Sequence, residues 1–297
     1  MKLSQLKDVL AVANKRSFRA AARHLHMTQP AISRSISELE RDLGAVLFDR
    51  HARGAQLSPM GERFVQRASA AMAELQRARD EIKQLQGQNV GAVVACLSSG
   101  AQARLLEGAL VPFLKRYPGV QLKVFEGQYP TAELGLKDGN IDFYIGPEPE
   151  PETSIDSELV SEFLYDNHLV VIARKKHPLS QVESLDDLRG AQWVSGTPGH
   201  QIDNLSKAFL QLNMPLPDVA VRCSTINTII FSVMHTDLLA LVPRPLVDLG
   251  GPPGVTVLKI RKPIAGPRGV FVRRFGMPLT PAAEYFVDML RRANGAE

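Results

Sequence analysis

The first part of the chain is patterned with apolar residues at helical spacing. Residues 3–13 predict an amphipathic helix, because apolar positions recur every three or four residues and are interrupted by charge. A second stripe, at intervals of four, three and four residues, consists of Ile32, Ile36, Leu39 and Leu43. Such a stripe is typical of a helix that buries one face.

Between these stripes, residues 17–40 predict two short helices joined by a tight turn. Ser17 is expected to cap the first helix, whose inward-facing residues are expected to be Ala20, Ala21 and Leu25. Small alanines allow a second helix to approach closely. Thr28 is expected to cap the second helix, with Pro30 in its first turn. The arrangement predicts a helix-turn-helix, whose second helix fits the major groove of DNA.

The polar face of this second helix carries the candidate DNA contacts. The side chains opposite the apolar stripe are Gln29, Ser33, Arg34 and Ser37. They are residue types that reach base edges or phosphates. An amphipathic bundle that merely carries these side chains on its solvated surface is the alternative interpretation.

The next segment predicts a β-hairpin that resembles a wing. Leu47 and Phe48 are expected to begin its first strand, and Leu57 to return to the core. Arg50 and Arg53 flank the turn, where arginines can reach the adjacent backbone or minor groove.

The charge distribution supports a polyanionic partner for this N-terminal part. The whole chain has 297 residues and a net charge of +4, but residues 1–58 carry ten Lys and Arg residues against five Asp and Glu residues. A basic head on a slightly acidic body suggests a polyanion, such as a nucleic acid, as the partner of the head.

A long helix is predicted from Pro59, with Ser58 as its cap. Its apolar positions recur with a period of 3.5 residues, and we call them the seam: Phe64, Ala68, Ala71, Leu75, Ala78, Ile82 and Leu85. This period predicts coiled-coil pairing with a second copy, which would present two recognition helices to a two-fold site. Packing against the chain's own body is the alternative. The helix is expected to end near Gly87.

From Val90 onward, short apolar runs alternate with helical stretches, which predicts an α/β body with parallel sheets. The strand pattern pauses near 160–165 and resumes after 267, which predicts two lobes. The expected division is therefore a head (1–58), a linker helix (59–89) and a body (90–297). The expected lobes of the body are 90–162 with 268–297, and 163–267.

Ligands of open α/β folds lie outside the carboxyl ends of strands, near helix N-termini. Polar residues that follow predicted strands in this way are Ser98, Ser99, Tyr129, Thr131, Thr197, His200 and Asn227. Their hydroxyl and backbone N–H groups could hold an anion such as a carboxylate. Each of them could instead be only a helix cap or a turn former.

Other classes of function find little support in the sequence. No apolar run reaches the ~18 residues of a membrane span, and the N-terminus does not read as a signal peptide, so we expect a cytoplasmic protein with no membrane partner. Cys96 and Cys223 are expected to be free, and the histidines lack metal-ligand spacing, so no metal is expected. No GxSxG, Walker A or GxGxxG motif is present, and we expect neither an enzyme nor a cofactor.

The run AARHLHMTQPAISRSISELERDLGAVLFDRHARGAQLSPMGERF, residues 21–64, closely resembles the N-terminal signature of LysR-type transcriptional regulators. YDNHLVVIARKKHPLS and MPLTPAAEYFVDMLRR resemble segments of the same family's effector domain. The resemblance implies a winged helix-turn-helix, a linker helix and a two-lobed effector domain like the periplasmic binding proteins. It assigns DNA contacts to Gln29, Ser33, Arg34, Arg50 and Arg53, with Thr28 and Pro30 shaping the recognition helix.

By the same resemblance, the effector residues named above line a cleft between the lobes. The expected partners are double-stranded DNA, a small effector and further copies of the chain, which would form a homotetramer built from dimers. RNA polymerase is a further candidate partner. The chain is most similar in character to members that respond to aromatic acids, sulfonates or sugar-derived acids. The alternative function is an α/β enzyme or sensor with only non-specific affinity for DNA, because a fold does not fix a function.

Overall fold

The computed structural model describes residues 1–51, 54–149, 157–196, 203–248, 251 and 253–295. The head consists of α1 (Leu3–Lys15), α2 (Phe18–His24), α3 (Gln29–Leu43) and the antiparallel strands β1 (Phe48–His51) and β2 (Gly54–Leu57). Its core packs the three helices against the hairpin, and the largest fully buried side chains there are Ile32, Ile36, Leu39 and Leu47.

The predicted helix-turn-helix is confirmed, with three corrections of detail. Ser17 caps α2 by accepting a hydrogen bond from the Ala20 amide at 3.3 Å, whereas Thr28 occupies the cap position of α3 without a side-chain bond. The fully buried alanines are Ala21 and Ala22, while Ala20 and Leu25 are half-buried. Leu43 is 40% exposed because α3 ends there, at the edge of the head's core.

Helix α4 (Pro59–Leu85) leaves the hairpin at a closely packed junction. The Ser58 hydroxyl accepts a hydrogen bond from the Gly61 amide at 3.0 Å and donates one to the Val46 carbonyl at 2.6 Å. A Cβ atom at Gly61 would lie 2.0 Å from the Leu47 carbonyl oxygen, so only glycine fits. The junction therefore fixes the direction in which α4 leaves the head.

Two faces of α4 have different surroundings. On the seam, Phe64 is half-buried and Ala68 buried, but the seam becomes exposed from Ala71 onward, and Ile82 and Leu85 are 57% and 69% exposed. The other face lies against the body of the same chain. From Ala71 onward the body of the same chain therefore does not cover the seam, and pairing of the seam with a second copy stays a prediction.

Buried polar contacts attach α4 to the body. Arg77 donates to the Asp142 carboxylate at 2.6 Å and to the Gly139 carbonyl at 2.6 Å, while Arg274 donates to Glu74 at 2.9 Å. Burial and the nearby Arg77 guanidinium lower the pKa of Arg274. These contacts are mostly shielded from water, so they hold the helix more firmly than surface ion pairs would.

The first lobe is built around one five-stranded sheet in the order β4-β3-β5-β13-β6. Its strands are β3 (Ala92–Leu97), β4 (Gln121–Glu126), β5 (Phe143–Pro147), β6 (Leu159–Tyr165) and β13 (Gly269–Arg274). Its helices are α5 (Ser99–Arg116), α6 (Thr131–Lys137) and α10 (Pro281–Asn294). β3 runs parallel to β4 and β5, but β13 runs antiparallel to both of its neighbours.

The second lobe lies between β6 and β13 in sequence. Its strands are β7 (His168–Arg174), β8 (Gln192–Ser195), β9 (Asp218–Arg222), β10 (Ala240–Pro243), β11 (Val255–Val257) and β12 (Ile264–Ala265). Its helices are α7 (Asn204–Gln211), α8 (Ile226–His235) and α9 (Pro245–Asp248), with a 3₁₀ turn at Leu185–Leu188. β8 and β9 are parallel, whereas β10, β11 and β12 all pair antiparallel with β7.

The expectation of parallel sheets is therefore only partly right. Of the eight pairings between named strands in the described part of the body, three are parallel and five are antiparallel. Parallel neighbours need a long crossover, usually a helix, but β12 follows β11 after only six residues. The strand β6, where the pattern seemed to pause, was missed because Ser161 and Glu162 interrupt its apolar residues and its middle is exposed. In the described part of the chain, no helix is both long and apolar enough to cross a membrane.

Candidate nucleic-acid interface and effector cleft

The polar side chains of α3 form an outward surface that we call the reading face: Gln29, Ser33, Arg34 and Ser37. Ser33 is half-buried and the other three are exposed, as are Thr28 and Pro30 at the start of the helix. Beneath them, the Ser35 hydroxyl donates to the buried Asp8 carboxylate at 2.5 Å, which ties α3 to α1. The reading face is thus displayed on a helix held from below by apolar and polar contacts.

Side chains of the reading face form hydrogen bonds along the helix itself. Gln29 donates to the Ser33 hydroxyl at 2.9 Å, and Arg34 donates to the Glu38 carboxylate at 3.1 Å. The Arg34 side chain remains 83% exposed. Ion pairs this exposed contribute little to stability, so Arg34 can exchange Glu38 for a phosphate or a guanine edge at small cost.

Four of the sequence-predicted residues lie wholly or partly outside the described part of the chain. Arg53, Thr197 and His200 lie outside the described residues, and so does the side chain of Arg50. For Arg50 the backbone alone is described, and it pairs with Ala55 across the hairpin.

Between the two lobes lies a cavity of ≈ 120 Å³, which we call the cleft. Lobe one contributes Ser98 and Ser99, and both connections between the lobes contribute as well, through Asn167 and Pro267. The other polar residues of its lining are Glu126, Gln128, Ser195, Asp203, Asn204, Ser224 and Thr225. Because the connections line it, a molecule in the cleft would touch both segments that join the lobes.

Three helices begin at the cleft. The caps of α5, α7 and α8 are Ser98, Asp203 and Thr225, each accepting a hydrogen bond from an amide in the first turn of its own helix. The remaining first-turn amides have no acceptor inside a helix, and helix dipoles place partial positive charge there. This geometry suits a negatively charged or strongly hydrogen-bonding ligand.

Asp203 is the most buried charged group of the cleft. The Ser195 hydroxyl donates to its Oδ2 atom, the Ser206 amide donates to Oδ1 at 2.7 Å, and the Arg222 guanidinium lies 3.4 Å from Oδ2. Burial opposes ionisation, but the hydrogen bonds from Ser195 and Ser206 and the charge of Arg222 outweigh it, so the pKa of Asp203 lies below its ordinary value. The carboxylate is therefore ionised at neutral pH and already compensated by the protein.

Comparison with known proteins decides the family. The sequence profile described as "LysR substrate binding domain" matches residues 86–295, and the profile described as "Bacterial regulatory helix-turn-helix protein, lysR family" matches residues 3–62. The chain belongs to the LysR family of transcriptional regulators. Its members are DNA-binding regulators with an effector-binding domain, not enzymes.

Named relatives of this LysR-family chain are distant. It is 28% identical to the HTH-type transcriptional regulator GalR of Pseudomonas putida over 243 residues, which covers 80% of this chain but only 60% of GalR. It is 26% identical to the HTH-type transcriptional regulator PcaQ of Agrobacterium fabrum over 278 residues, 86% of this chain and 88% of PcaQ.

Solved structures share the whole fold. Full-length CbnR complexed with its target DNA superposes with a TM-score of 0.73 at 22% identity, covering 99% of this chain and 100% of that one. A full-length OxyR variant from Pseudomonas aeruginosa gives a TM-score of 0.72 at 21% identity, covering 98% of this chain and 95% of that one. The helix-turn-helix, the long α4 and the two-lobed α/β body are therefore the LysR architecture.

The structure does not bring every sequence-predicted effector residue of this LysR-family chain into the cleft. Tyr129, Thr131 and Asn227 follow strands, as the sequence suggested, but they lie outside its lining. Thr131 is exposed at the start of α6, and Asn227 is exposed in the first turn of α8. Tyr129 packs edge-on against Tyr144, with ring centroids 5.3 Å apart.

The residues around Tyr129 show why it is poorly suited to titrate. Burial raises the pKa of the Tyr129 phenol above its ordinary value, and the negative charge of Glu133 makes a smaller contribution in the same direction. Burial alone raises the pKa of the nearby Cys96 thiol to about 11. Both groups are therefore neutral at physiological pH.

Sequence reasoning missed several lining residues, and some of them carried a signal. Asp203 precedes the run NLSKAFLQ and reads as the cap of a helix. Ser195 and Ser224 stand at or just beyond the ends of strands, like the residues that were chosen. Asn167 and Pro267 had no such signal, because they line the cleft only through the way the two connections meet.

Proposed function

We propose that this regulator binds its operator as a homodimer or a larger homo-oligomer, and that a small acid in the cleft changes how the paired heads hold the DNA. The observation that carries the proposal is the combination of an exposed reading face on α3 with a polar cleft at which three helices begin. The proposal includes the division of the chain into a head (1–58), a linker helix (59–89) and a body (90–297). It also places the protein in the cytoplasm, where bacterial DNA lies.

On the DNA side, Gln29, Arg34 and Ser33 are the proposed base and phosphate contacts, with Ser37 beside them. Arginine and glutamine suit guanine and adenine edges respectively, and serine bonds to either base or phosphate. Arg50 and Arg53 of the hairpin are the proposed contacts to the flanking backbone or minor groove. The basic head supplies the affinity, and the reading face supplies the sequence preference.

For the effector, a small hydroxylated acid fits the cleft better than a purely anionic molecule. Ser98 and Ser99 at the start of α5, with Thr225 at the start of α8, offer hydroxyl and amide groups to a carboxylate or sulfonate. Glu126, at the end of β4, would repel an anion but accept hydrogen bonds from hydroxyl groups. Sugar-derived acids combine both features.

The oligomer rests on the exposed part of the seam. Ala71, Leu75, Ala78, Ile82 and Leu85 form an apolar stripe that the body of the same chain leaves uncovered. Pairing two such stripes would bury them and place two heads on one duplex. A tetramer made of two such dimers is inferred from the family resemblance alone.

Coupling between cleft and DNA would run through α4. A ligand that contacts both inter-lobe connections favours one arrangement of the lobes over another. Because lobe one holds α4 through Arg77 and Asp142, a change in the body reorients the helix and with it the head.

Fluorescence anisotropy tests the proposal. A duplex from upstream of the chain's own coding region is compared with a scrambled duplex of equal length, at one stated salt concentration, with small acids then added. The expected result is a preference for the native duplex of about 10³-fold or more that shifts with an acid of the right shape. As a second step, duplexes are enriched from a random pool. The proposal is contradicted if the native, scrambled and enriched duplexes all bind equally and with the same sensitivity to salt.

A further inference from the structure

A second cavity opens on the outer side of lobe two, away from the cleft. It has a volume of ≈ 590 Å³ and lies between the 3₁₀ turn Leu185–Leu188, helix α7 and the segment that leads into β12. We call it the outer pocket. It shares no lining residue with the cleft, although α7 contributes to both: Asn204 and Leu205 to the cleft, Ala208 and Gln211 to the outer pocket.

The floor of the outer pocket is apolar. Leu185, Ala208 and Ile264 are 5%, 5% and 7% exposed, and the half-buried Leu212 and Ile260 pack against the same core cluster. Cavities of about 300–1,000 Å³ with such a lining are typical of sites for small organic molecules. The body of the ligand should therefore be a hydrocarbon chain or ring.

The charges of its rim are unevenly balanced. Glu183 pairs with Arg261, and Asp186 pairs with Arg189 at 2.7 Å, so both acidic groups are compensated. Lys262 is exposed at the rim and forms no ion pair among the described residues. The uncompensated charge beside the apolar floor is therefore positive, and it complements an anionic head group.

From these observations we propose that the outer pocket is a second small-molecule site, which takes an amphipathic carboxylate. The hydrocarbon part lies on Leu185, Ala208 and Ile264, and the carboxylate pairs with Lys262. The site is distinct from the one proposed in the cleft, because the two share no lining residue.

The chain carries a reporter for this site. Trp193 is its only tryptophan, fully buried in the core cluster that also contains Leu185, Ala208 and Ile264. A molecule seated on that floor changes the packing of the cluster, and the indole fluorescence should change with it. Calorimetry gives the stoichiometry independently.

The test compares three ligands with the same tail, octanoate, 1-octanol and octylammonium, on the full-length protein. Octanoate is expected to bind saturably with one molecule per chain and to alter Trp193 emission. Lys262→Glu should weaken octanoate binding about tenfold and strengthen that of octylammonium, while leaving that of octanol unchanged. Lys259→Glu is the matched control, since Lys259 is also exposed but lies outside the lining, and it should change octanoate binding less than about twofold.

A second variant, Ala208→Met, fills the floor and should weaken octanoate and octanol alike. The proposal is overturned if octanoate does not saturate, or if Lys262→Glu and Lys259→Glu weaken it equally. It is also overturned if binding survives Lys262→Glu but is lost in Ser99→Ala, because octanoate then occupies the cleft.

Discussion

The reading face and the cleft both present polar side chains, yet they are built in opposite ways. The reading face lies on a single helix within residues 29–37 and rests on a buried stripe of the same helix. The cleft collects its lining from Ser98 to Pro267, across two lobes and both connections. The first has a shape fixed by one small core, whereas the shape of the second depends on how two cores are arranged. Substitutions in the head should therefore change DNA affinity directly, and substitutions in the body should change the response to ligand.

The largest effect should come from the element that joins the two regions. Ala71→Glu places a charge in the exposed part of the seam, which should prevent pairing of two α4 helices. The loss of two-headed binding should weaken operator affinity by about 100-fold or more. Light scattering would report the mass, and anisotropy the affinity.

Gln76→Glu is the control for that substitution, because it adds the same charge to an exposed position of α4 outside the seam. A normal oligomer in Ala71→Glu would reject the assignment of the seam to self-association.

Within the head, Arg34→Ala should cost about 1–3 kcal/mol of operator binding and relax the sequence preference, because it removes a group able to bind a base edge. Folding should be unaffected, since its ion pair with Glu38 is exposed. Anisotropy on native and scrambled duplexes measures both quantities. Arg41→Ala, in the last turn of α3, is the control. Equal losses on both duplexes would reduce Arg34 to a non-specific phosphate contact.

In the body, Asp203→Ala should destabilise the protein by about 1–2 kcal/mol, because α7 loses its cap and the carboxylate's contacts with Ser195 and Arg222 are removed. Asp203→Asn keeps a capping side chain and should cost less. Urea unfolding measures both. An unchanged midpoint in Asp203→Ala would show that neither the cap nor the buried hydrogen bond contributes to stability.

The pH dependence of that difference has a definite sign. The folded pKa of Asp203 lies below its ordinary value, so the ionised carboxylate stabilises the fold fully above the unfolded pKa of about 3.9. This contribution fades as the pH falls through the folded pKa. The gap between wild type and Asp203→Asn should hold at neutral pH and narrow below about pH 4.

The smallest effect is expected inside the cleft. Ser99→Ala removes one hydroxyl and should weaken effector binding by about 0.5–1.5 kcal/mol without changing operator affinity. Thr131→Ala serves as the control, because Thr131 also follows a strand but lies outside the lining. Calorimetry with the acid found in the anisotropy screen distinguishes them. Equal losses in the two variants would show that the effector does not sit where the cavity is.

The same contrast explains how much could be predicted from the sequence. Ile32, Ile36 and Leu39 define α3 because helical periodicity is a local property, and Ser17 and Ser58 cap their helices through bonds spanning three residues. The predicted burial of Leu43 was wrong, because its exposure depends on where the core of the head ends. Ser98 and Ser99 were found from the strand-to-helix order, yet the same rule selected Tyr129 and Thr131. Which strand ends face the other lobe is set by packing between segments that are far apart in the sequence.

Helix α4 has a mechanical consequence that its length makes quantitative. Its 27 residues span about 40 Å, with buried contacts to the body toward one end and the glycine-tight junction at Gly61 at the other. Such a rod acts as a lever arm. From Arg77 to Gly61 the arm measures about 24 Å. A tilt of about 8° at the body end therefore moves the head by about 3.3 Å, close to the ~3.4 Å spacing of successive base pairs. If effector binding tilts α4 against lobe one by only a few degrees, the head is therefore expected to shift by about one base-pair step.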